Sequence, residues 1–307
     1  MKAAVLKEYG GPEALDVIDL PDPEAGGGQV IVRQHATTFN PIDMKLASGA
    51  QKAGKPLTFP FVPGGDVAGV VEAIGADVDD LRVGDEVFGY SASGGAYAEL
   101  IAISADAVAH KPLSIPFIDA AALALVGQTA SQALEATGLA AGDTLVIIGA
   151  GGPVGSATVQ IASGMGIKVI GVAGNRDTER LRAIGASKTL ERGYAPEQAP
   201  TGADAVIDTV GGEGQIGALA MLREGGTLVA LNQPPSQEEA ERRRVRAVLV
   251  LTKTSRASLD QLRERMEAGT LRPFVAQRYR LADAAALWRH ALDRTSSGKR
   301  VLEMIRD

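Results

Sequence analysis

A glycine-rich run between residues 149 and 155 is the part of the sequence best suited to hold a ligand. It reads Gly149-Ala150-Gly151-Gly152-Pro153-Val154-Gly155, after the apolar run 144–148 and before a helix predicted over 154–165. Glycines allow a tight strand-to-helix turn, and the following helix offers N–H groups and a positive dipole end. A proline in the first helical turn loses no hydrogen bond, because a backbone N–H there would have no partner within the helix. This turn predicts a pyrophosphate site, and therefore a dinucleotide cofactor.

The residues after the next predicted strand, 168–172, indicate which dinucleotide is bound. NAD-binding proteins place an acidic residue there, on the ribose 2′-hydroxyl. Here the chain continues Ala173-Gly174-Asn175-Arg176-Asp177, and Arg180 follows one helical turn later. A 2′-phosphate would meet a guanidinium through a charge-assisted hydrogen bond, so NADPH is predicted. Two alternatives stay open: Arg176 as a solvated loop residue, and Asp177 as a ribose contact.

Strands and helices alternate along the part of the chain that must position this turn. From residue 119 onward, apolar β-branched runs follow one another between helical stretches, at 144–148, 168–172, 205–209, 227–231 and 246–251. This alternation is typical of a parallel sheet covered by helices on both faces. We therefore expect an α/β fold with a doubly wound cofactor domain over residues 119–269.

The rest of the chain is predicted to be rich in strands. Short apolar runs before residue 119 are separated by Gly, Pro and Asp turns. Residues 274–281 and 299–305 read as strands around a helix that contains Trp288, which we interpret as a core residue. These C-terminal elements have no separate domain of their own to pack in. We therefore expect a discontinuous domain of residues 1–118 and 270–307.

Composition narrows the classes of function. The 307 residues carry a net charge of −6, which does not favour nucleic acid as the main partner. No apolar run is long enough to span a bilayer, and the N-terminus lacks a signal-peptide core, so we expect a cytoplasmic protein with no membrane partner.

Cysteine is absent, which removes thiolate chemistry and cysteine-ligated metals. His35, His110 and His290 show no metal-ligand spacing, so no metal site is predicted.

Further motifs, in their order along the chain, resemble those of one family. The chain is similar to the zinc-independent, zeta-crystallin-like quinone oxidoreductases of the medium-chain dehydrogenase/reductase superfamily. Besides the glycine turn, the motifs are YGGPEAL (9–15), FNPID (39–43), FVPGGDVAGVV (61–71), VGDEVFG (83–89), GGAYAEL (94–100), QTASQAL (128–134) and DTVGG (208–212).

The resemblance implies a GroES-like catalytic domain built from both chain termini, a Rossmann cofactor domain between them, and a homodimer formed through the cofactor domains. Zinc-dependent relatives carry a cysteine where Asn40 stands and a histidine where Gly65 stands. We therefore expect no zinc.

The resemblance also assigns residues to the site. Asn40 and Lys45 lie on the loop that faces the nicotinamide in relatives, and Tyr90 is placed near the acceptor; these are the candidate catalytic residues, with Asn40 also able to contact the cofactor. Asn40 as a simple turn residue and Lys45 as an exposed lysine are the alternatives. Asp43 is assigned to loop support. Thr129 is expected at the nicotinamide end, and the remaining predicted cofactor contacts are Thr209, Val210, Leu231, Asn232 and Gln233.

The predicted function is hydride transfer from NADPH to an electrophilic small molecule, either a quinone or an α,β-unsaturated carbonyl compound. The protein must align the acceptor and stabilise the negative charge that develops on its oxygen. No general acid is evident, so water is the expected proton source. Two other hypotheses stay open: a nucleotide-binding, redox-sensing protein with little turnover, and a structural protein without a cofactor.

Overall fold

The computed structural model describes residues 1–212, 214–293 and 297–304. The chain forms two compact units. The first unit contains residues 1–125, 254–269 and 273–307, and the second contains residues 126–253 and 270–272. The first unit is rich in strands and the second is built on a parallel sheet, as expected for the α/β class.

The strands are β1 (Lys2–Leu6), β2 (Leu15–Asp19), β3 (Gln29–Thr38), β4 (Asp66–Ile74), β5 (Glu86–Tyr90), β6 (Leu100–Ser104), β7 (Val108–His110), β8 (Thr144–Ile148), β9 (Lys168–Ala173), β10 (Lys188–Glu191), β11 (Ala203–Asp208), β12 (Leu222–Ala230), β13 (Arg246–Leu249), β14 (Val275–Arg280) and β15 (Lys299–Glu303). The α-helices are α1 (Pro41–Ala47), α2 (Phe117–Thr137), α3 (Pro153–Gly164), α4 (Thr178–Ala183), α5 (Gln215–Ala220), α6 (Gln237–Arg242), α7 (Arg256–Glu267) and α8 (Ala284–Leu292). Short 3₁₀ helices lie at Pro12–Ala14, Ala105–Ala107, Asn175–Asp177, Pro196–Gln198 and Leu281–Asp283.

A mainly antiparallel sheet organises the first unit. Its strand order is β14-β15-β3-β4-β5-β7, and β6 also pairs with β3. The two C-terminal strands are thus incorporated beside β3, as the unpartnered terminal pieces of the sequence predicted. Trp288 is fully buried, and its Nε1 donates to the Tyr97 hydroxyl at 3.2 Å. The predicted core position of Trp288 is confirmed.

The second unit contains a six-stranded parallel sheet in the order β10-β9-β8-β11-β12-β13. Its central strands are apolar and fully buried, as in Leu145, Val146 and Ile147 of β8. The chain runs outward from β8 to β9 and β10 on one side, and from β11 to β12 and β13 on the other. The strand order therefore changes direction between β8 and β11, the point where doubly wound sheets bind ligands at the carboxyl ends of the strands.

The division into units differs from the boundaries expected at residues 118 and 269. Residues 254–269, expected in the cofactor domain, group with the first unit. The reason is a set of contacts from the start of α7: Arg256 pairs with Asp80 at 2.8 Å and donates to the Ala105 carbonyl at 2.6 Å. The last strand was predicted over residues 299–305, and in the structure it ends at Glu303. Ile305 lies outside the described residues.

Among the described residues, no helix has the length and apolar character needed to cross a bilayer.

Candidate functional site

The glycine turn lies at the carboxyl end of β8. Gly149 has a φ of +82°, and its N–H and that of Ala150 both donate to the Val172 carbonyl of β9 at 3.0 Å. A Cβ on Gly149 would lie 2.3 Å from the Thr209 hydroxyl oxygen, so a side chain is excluded both by conformation and by space. The turn is held tightly between β9 and the loop after β11.

Helix α3 starts directly from this turn. Gly152 is its N-cap residue, Pro153 occupies its first turn, and no side chain caps the helix. The N–H groups of Val154 and Gly155 have no partner within a helix, because their hydrogen-bond acceptors would precede its first residue. Gly155 packs so closely that a Cβ would lie 2.4 Å from the Gly149 carbonyl oxygen. The result is an open helix N-terminus over a turn of bare backbone, a suitable cradle for a pyrophosphate.

Arg180 holds the glycine turn from the side. Its guanidinium donates to the Gly151 carbonyl at 2.9 Å, to the Ser156 hydroxyl at 2.8 Å and to Asp177 Oδ1 at 2.7 Å. Asp177 is buried, and a Cβ on Gly151 would lie 2.4 Å from its Oδ2 atom. Arg180 therefore acts within the fold as a clamp on the turn, and its predicted contact with a 2′-phosphate stays a prediction.

Asn175 and Arg176 lie at the same edge of the sheet, in the 3₁₀ helix that follows β9. Both residues are exposed. Because β9 is the neighbour of β8, this segment and the glycine turn share the carboxyl edge of the parallel sheet. The structure thus brings the predicted pyrophosphate and 2′-phosphate residues to one edge.

The loops after β11 and β12 complete that edge. The Val210 and Gly211 N–H groups both donate to Asp208 Oδ1 at 2.9 Å, and Asn232 Nδ2 donates to the Thr209 carbonyl at 2.6 Å. Asn232 and Gln233 are exposed, and Leu231 is half-buried. Asp208 Oδ2 is a buried acceptor with no hydrogen-bond partner among the described residues. These loops therefore place Asn232 and Gln233, two exposed polar residues, at the edge where a dinucleotide would lie.

Thr129 lies in α2 and shares a hydrogen bond of 2.8 Å with the Thr252 hydroxyl. Gln132, one helical turn later, exchanges two hydrogen bonds with the backbone of Lys253, at 2.7 and 2.9 Å. These contacts tie the segment after β13 to helix α2. Contact of Thr129 with a nicotinamide remains a prediction.

In the first unit, a buried ionic cluster surrounds Asn40, which is the N-cap residue of α1. Asn40 Nδ2 donates to Asp66 Oδ2 at 2.6 Å, and its Oδ1 accepts from Lys299 Nζ at 2.7 Å. Lys299 also reaches Asp66 Oδ2 at 3.3 Å, and the Thr38 hydroxyl donates to the same oxygen. Asp66 Oδ1 accepts from the Leu125 N–H at 2.9 Å. The Asn40 amide is thus fixed in orientation by its neighbours.

The sheet itself assembles this cluster. Lys299, Thr38 and Asp66 stand on β15, β3 and β4, which are adjacent in the first sheet. Asp66 is fully buried and Lys299 is only 3% exposed. Neither residue was identified as a site residue from the sequence. Asp66 and Lys299 are each the first residue of a strand, and each strand also contains apolar residues. A charged residue at the start of such a strand is the signal that would have indicated a buried pair.

Asp43 lies next to this cluster, inside the first turn of α1. Its Oδ2 atom accepts from the Asn40 N–H at 2.8 Å, which confirms its predicted support of this segment, here a helix rather than a loop. The pKa of Asp43 is raised to about 7, mainly by burial; the Asn40 N–H and Lys299 oppose this rise, and the nearby Asp66 carboxylate adds to it. Asp43 therefore holds its proton to a higher pH than an exposed aspartate does.

Tyr90 ends strand β5 and is half-buried. Burial raises the pKa of its phenol, with Asp43 and Asp66 adding to the effect, so the hydroxyl remains a hydrogen-bond donor at neutral pH. The Tyr90 ring occupies the space beside Gly65, where a Cβ would lie 2.4 Å from Tyr90 Cε2. Lys45, the third candidate catalytic residue, is half-buried on α1.

A zinc ion does not fit the residues at this place. A histidine side chain at position 65 would need the volume that the Tyr90 ring fills, and Asn40, an amide, is held by Asp66 and Lys299. The described residues also contain no group of three or more His, Asp or Glu side chains that could hold a metal ion.

Two family models match the chain. Residues 26–113 match the alcohol dehydrogenase GroES-like domain, and residues 184–302 match a model described as zinc-binding dehydrogenase.

Among characterised proteins, the quinone oxidoreductase of Mus musculus is 32% identical over 93% of this chain and 92% of its own length. The NADPH-dependent alkenal/one oxidoreductase of Arabidopsis thaliana is 35% identical over 75% of this chain and 62% of its own length. Among solved structures, the quinone oxidoreductase from Coxiella burnetii aligns with a TM-score of 0.93 at 30% identity, over 99% of both chains.

Proposed function

Because the chain belongs to the quinone oxidoreductase family of the medium-chain dehydrogenase/reductase superfamily and is an oxidoreductase, we propose that it uses NADPH to reduce a quinone or an α,β-unsaturated carbonyl compound. The observation that carries this proposal is the glycine turn, which lies where the strand order of the parallel sheet changes direction. At the same edge, Arg176 stands in place of an acidic residue. A relative described as an NADPH-dependent alkenal/one oxidoreductase supports both the cofactor and the second acceptor class.

The residues that would hold NADPH follow from the carboxyl edge of the parallel sheet. The backbone of Gly151, Gly152, Val154 and Gly155 is proposed to bind the pyrophosphate, and Arg176 the 2′-phosphate. When bound, NADPH supplies a hydride equivalent. The proposed contacts toward the nicotinamide end come from the remaining predicted residues, Thr129, Thr209, Val210, Leu231, Asn232 and Gln233.

Exchanging Arg176 for alanine should discriminate between the two nicotinamide dinucleotides. Loss of a charge-assisted hydrogen bond is worth about 1.5–3 kcal/mol, so NADPH should bind roughly ten- to a hundredfold more weakly. NADH, which has no 2′-phosphate, should bind as before. Isothermal titration of both nucleotides measures this, with Arg182→Ala, an exposed arginine on α4, as the matched control. Equal losses for NADPH and NADH would contradict the assignment of Arg176.

We propose that the acceptor is activated by polar groups of the first unit, without a metal. The Tyr90 hydroxyl and the second N–H of the Asn40 amide, whose first N–H donates to Asp66, are proposed to meet the negative charge developing on the acceptor oxygen. Lys45 would add a positive charge. The Asn40 amide keeps a defined orientation through Asp66 and Lys299, which favours an aimed donor over a mobile one. Zinc is not needed for this role, and the surroundings of Gly65 do not fit it.

Steady-state assays with two acceptors test the proposed function. Purified protein and NADPH are incubated without oxygen, once with a simple quinone and once with a 2-enal, and NADPH oxidation is followed by absorbance. Turnover of at least one acceptor, faster with NADPH than with NADH, is the expected outcome. Reduction of a non-conjugated ketone at an equal rate would contradict the proposed acceptor class.

We also propose that the protein forms a homodimer through its second unit, as its family resemblance implies. Strand β13 lies at one edge of the parallel sheet, where backbone groups can pair with another strand. Light scattering at two protein concentrations should give twice the mass of one chain, and a single-chain mass would contradict this assembly.

A further inference from the structure

Arg180 is the centre of a hydrogen-bond network that binds carbonyl oxygens of the glycine turn. Its Nη2 donates to the Gly151 carbonyl at 2.9 Å, and its Nη1 donates to the Ser156 hydroxyl at 2.8 Å. The Ser156 hydroxyl in turn donates to the Ala150 carbonyl at 3.1 Å. Arg180 therefore binds one carbonyl of the turn directly and supports a second one through a buried serine.

The orientation of these two carbonyls sets the orientation of the N–H groups beside them. In a trans peptide unit, the C=O of one residue and the N–H of the next point in opposite directions. The Ala150 carbonyl points at the serine hydroxyl, so the Gly151 N–H points the opposite way. The Gly151 carbonyl points at Arg180, while the Gly152 N–H closes the turn on the Gly149 carbonyl at 3.0 Å. Both peptide units are thus held in one orientation.

This orientation matters for an anion. Carbonyl oxygens carry a partial negative charge and repel a pyrophosphate, whereas N–H groups attract it. A turn whose carbonyls are bound by a guanidinium and a hydroxyl presents its N–H groups on the opposite side. The network therefore prepares the backbone of the turn for an anion before any ligand arrives.

The charge of Arg180 is already paired within the fold. The second N–H of Nη2 donates to Asp177 Oδ1 at 2.7 Å, and Asp177 is only 5% exposed. A cation paired with a buried carboxylate adds little net attraction for a nucleotide, because the two charges offset each other at a distance. What Arg180 contributes is the fixed geometry of the turn.

We propose that Arg180 is a positioning residue of the pyrophosphate site, acting through the backbone of the glycine turn without touching the nucleotide. This role differs from the 2′-phosphate contact that the sequence predicted for it. The proposal rests on the proposed function and deepens it, because it assigns two properties to two arginines. Arg180 sets the affinity for any nicotinamide dinucleotide, and Arg176 sets the preference for NADPH.

The Arg180→Met variant tests this division, because methionine keeps much of the aliphatic length and removes every donor. NADPH and NADH should both bind more weakly and by the same factor, since both contain a pyrophosphate. The expected factor is about ten- to a hundredfold, the loss that accompanies a missing hydrogen bond to a charged group. ADP-ribose, which has the pyrophosphate but no 2′-phosphate and no nicotinamide, should lose the same factor. Isothermal titration measures all three ligands.

Three further variants show that the loss comes from the turn. Arg182→Met changes an exposed arginine of the same helix and should bind like the wild type. Arg180→Lys should recover part of the affinity. The double variant Arg180→Met with Asp177→Asn removes the buried charge that the single variant leaves unpaired, so it should recover stability but not affinity. Full recovery of affinity in the double variant would contradict the proposal.

Steady-state kinetics separate a positioning role from general damage to the fold. In Arg180→Met, the KM for NADPH should rise, while kcat at saturating NADPH should stay within about twofold of the wild type, as expected when only ground-state binding is lost. A partly unfolded enzyme would lose kcat as well. Circular dichroism at the assay temperature establishes that each variant is folded.

The outcomes are distinguishable. If Arg180→Met weakens NADPH but not NADH, Arg180 is a 2′-phosphate ligand, and the positioning role is wrong while the proposed function stands. Unchanged binding of both nucleotides by the folded variant also contradicts the proposal. If the wild type binds neither nucleotide, the proposed function fails with it. If Arg180→Met does not fold, Ser156→Ala decides: it should weaken both nucleotides about two- to tenfold, the loss of one neutral hydrogen bond, and no loss contradicts the proposal.

Discussion

Replacing Lys299 by methionine should destabilise the protein by about 3–5 kcal/mol, the usual loss when one partner is removed from a buried ion pair. Methionine preserves most of the length and the packing of the side chain but leaves Asp66 fully buried without its counter-charge. Thr38, Asn40 and the Leu125 N–H would still donate to that carboxylate. Denaturant unfolding followed by the fluorescence of Trp288 measures the loss.

Two further variants identify the cause of that loss. Lys2→Met removes an exposed lysine that pairs with Asp19 at 3.5 Å, and should change the free energy of unfolding by less than about 1 kcal/mol. The double variant Lys299→Met with Asp66→Asn removes both charges and should recover part of the stability. A loss below about 1 kcal/mol for Lys299→Met would show that the cluster does not behave as a buried pair.

Substituting Gly155 by alanine should abolish nucleotide binding and lower stability. The added Cβ would lie 2.4 Å from the Gly149 carbonyl oxygen and 2.6 Å from the Ala150 Cα atom, and these backbone atoms leave it no room. Either α3 moves away from β8 or the turn opens. Overpacking of this kind costs about 1–3 kcal/mol, and a displaced turn can no longer present its N–H groups to a pyrophosphate.

Gly164→Ala is the matched control, because Gly164 ends the same helix and nothing lies within 4 Å of its added Cβ. That variant should bind NADPH normally and melt at the same or a slightly higher temperature, since alanine favours helix over glycine. Thermal melting and nucleotide titration of both variants measure the contrast. NADPH binding by Gly155→Ala within about threefold of the wild type would show that the turn is not the pyrophosphate site.

The second unit could largely be predicted from the sequence because its signals are local. Strand β8, the glycine turn and helix α3 occupy one continuous segment, and the β-branched runs of a buried parallel sheet are apolar throughout. The predicted edges were accurate to a few residues; β11, for example, is Ala203–Asp208 where 205–209 was predicted. The clamp formed by Arg180 and Asp177 was missed, because the same two residues also suit a loop that binds a phosphate and a ribose.

The first unit could be predicted less completely because its site depends on pairings between distant residues. Lys299 and Asp66 are 233 positions apart and meet only when β15 is added beside β3. Residues 41–47 form a helix that was not predicted, and it places Asp43 in a buried first turn, which no local pattern specifies. The raised pKa of Asp43 depends on that burial and on Asp66, so it could not be inferred from residue type and spacing.

We propose that this oxidoreductase passes reducing equivalents from NADPH to an electron-poor small molecule. Anaerobic oxidation of NADPH, with the quinone and the 2-enal assayed side by side and the products identified by mass, tests it most directly. We predict stoichiometric formation of NADP⁺ and of a hydroquinone or a saturated aldehyde. A protein that binds NADPH tightly yet forms neither product would contradict the claim, and would instead support a nucleotide-binding role with little turnover.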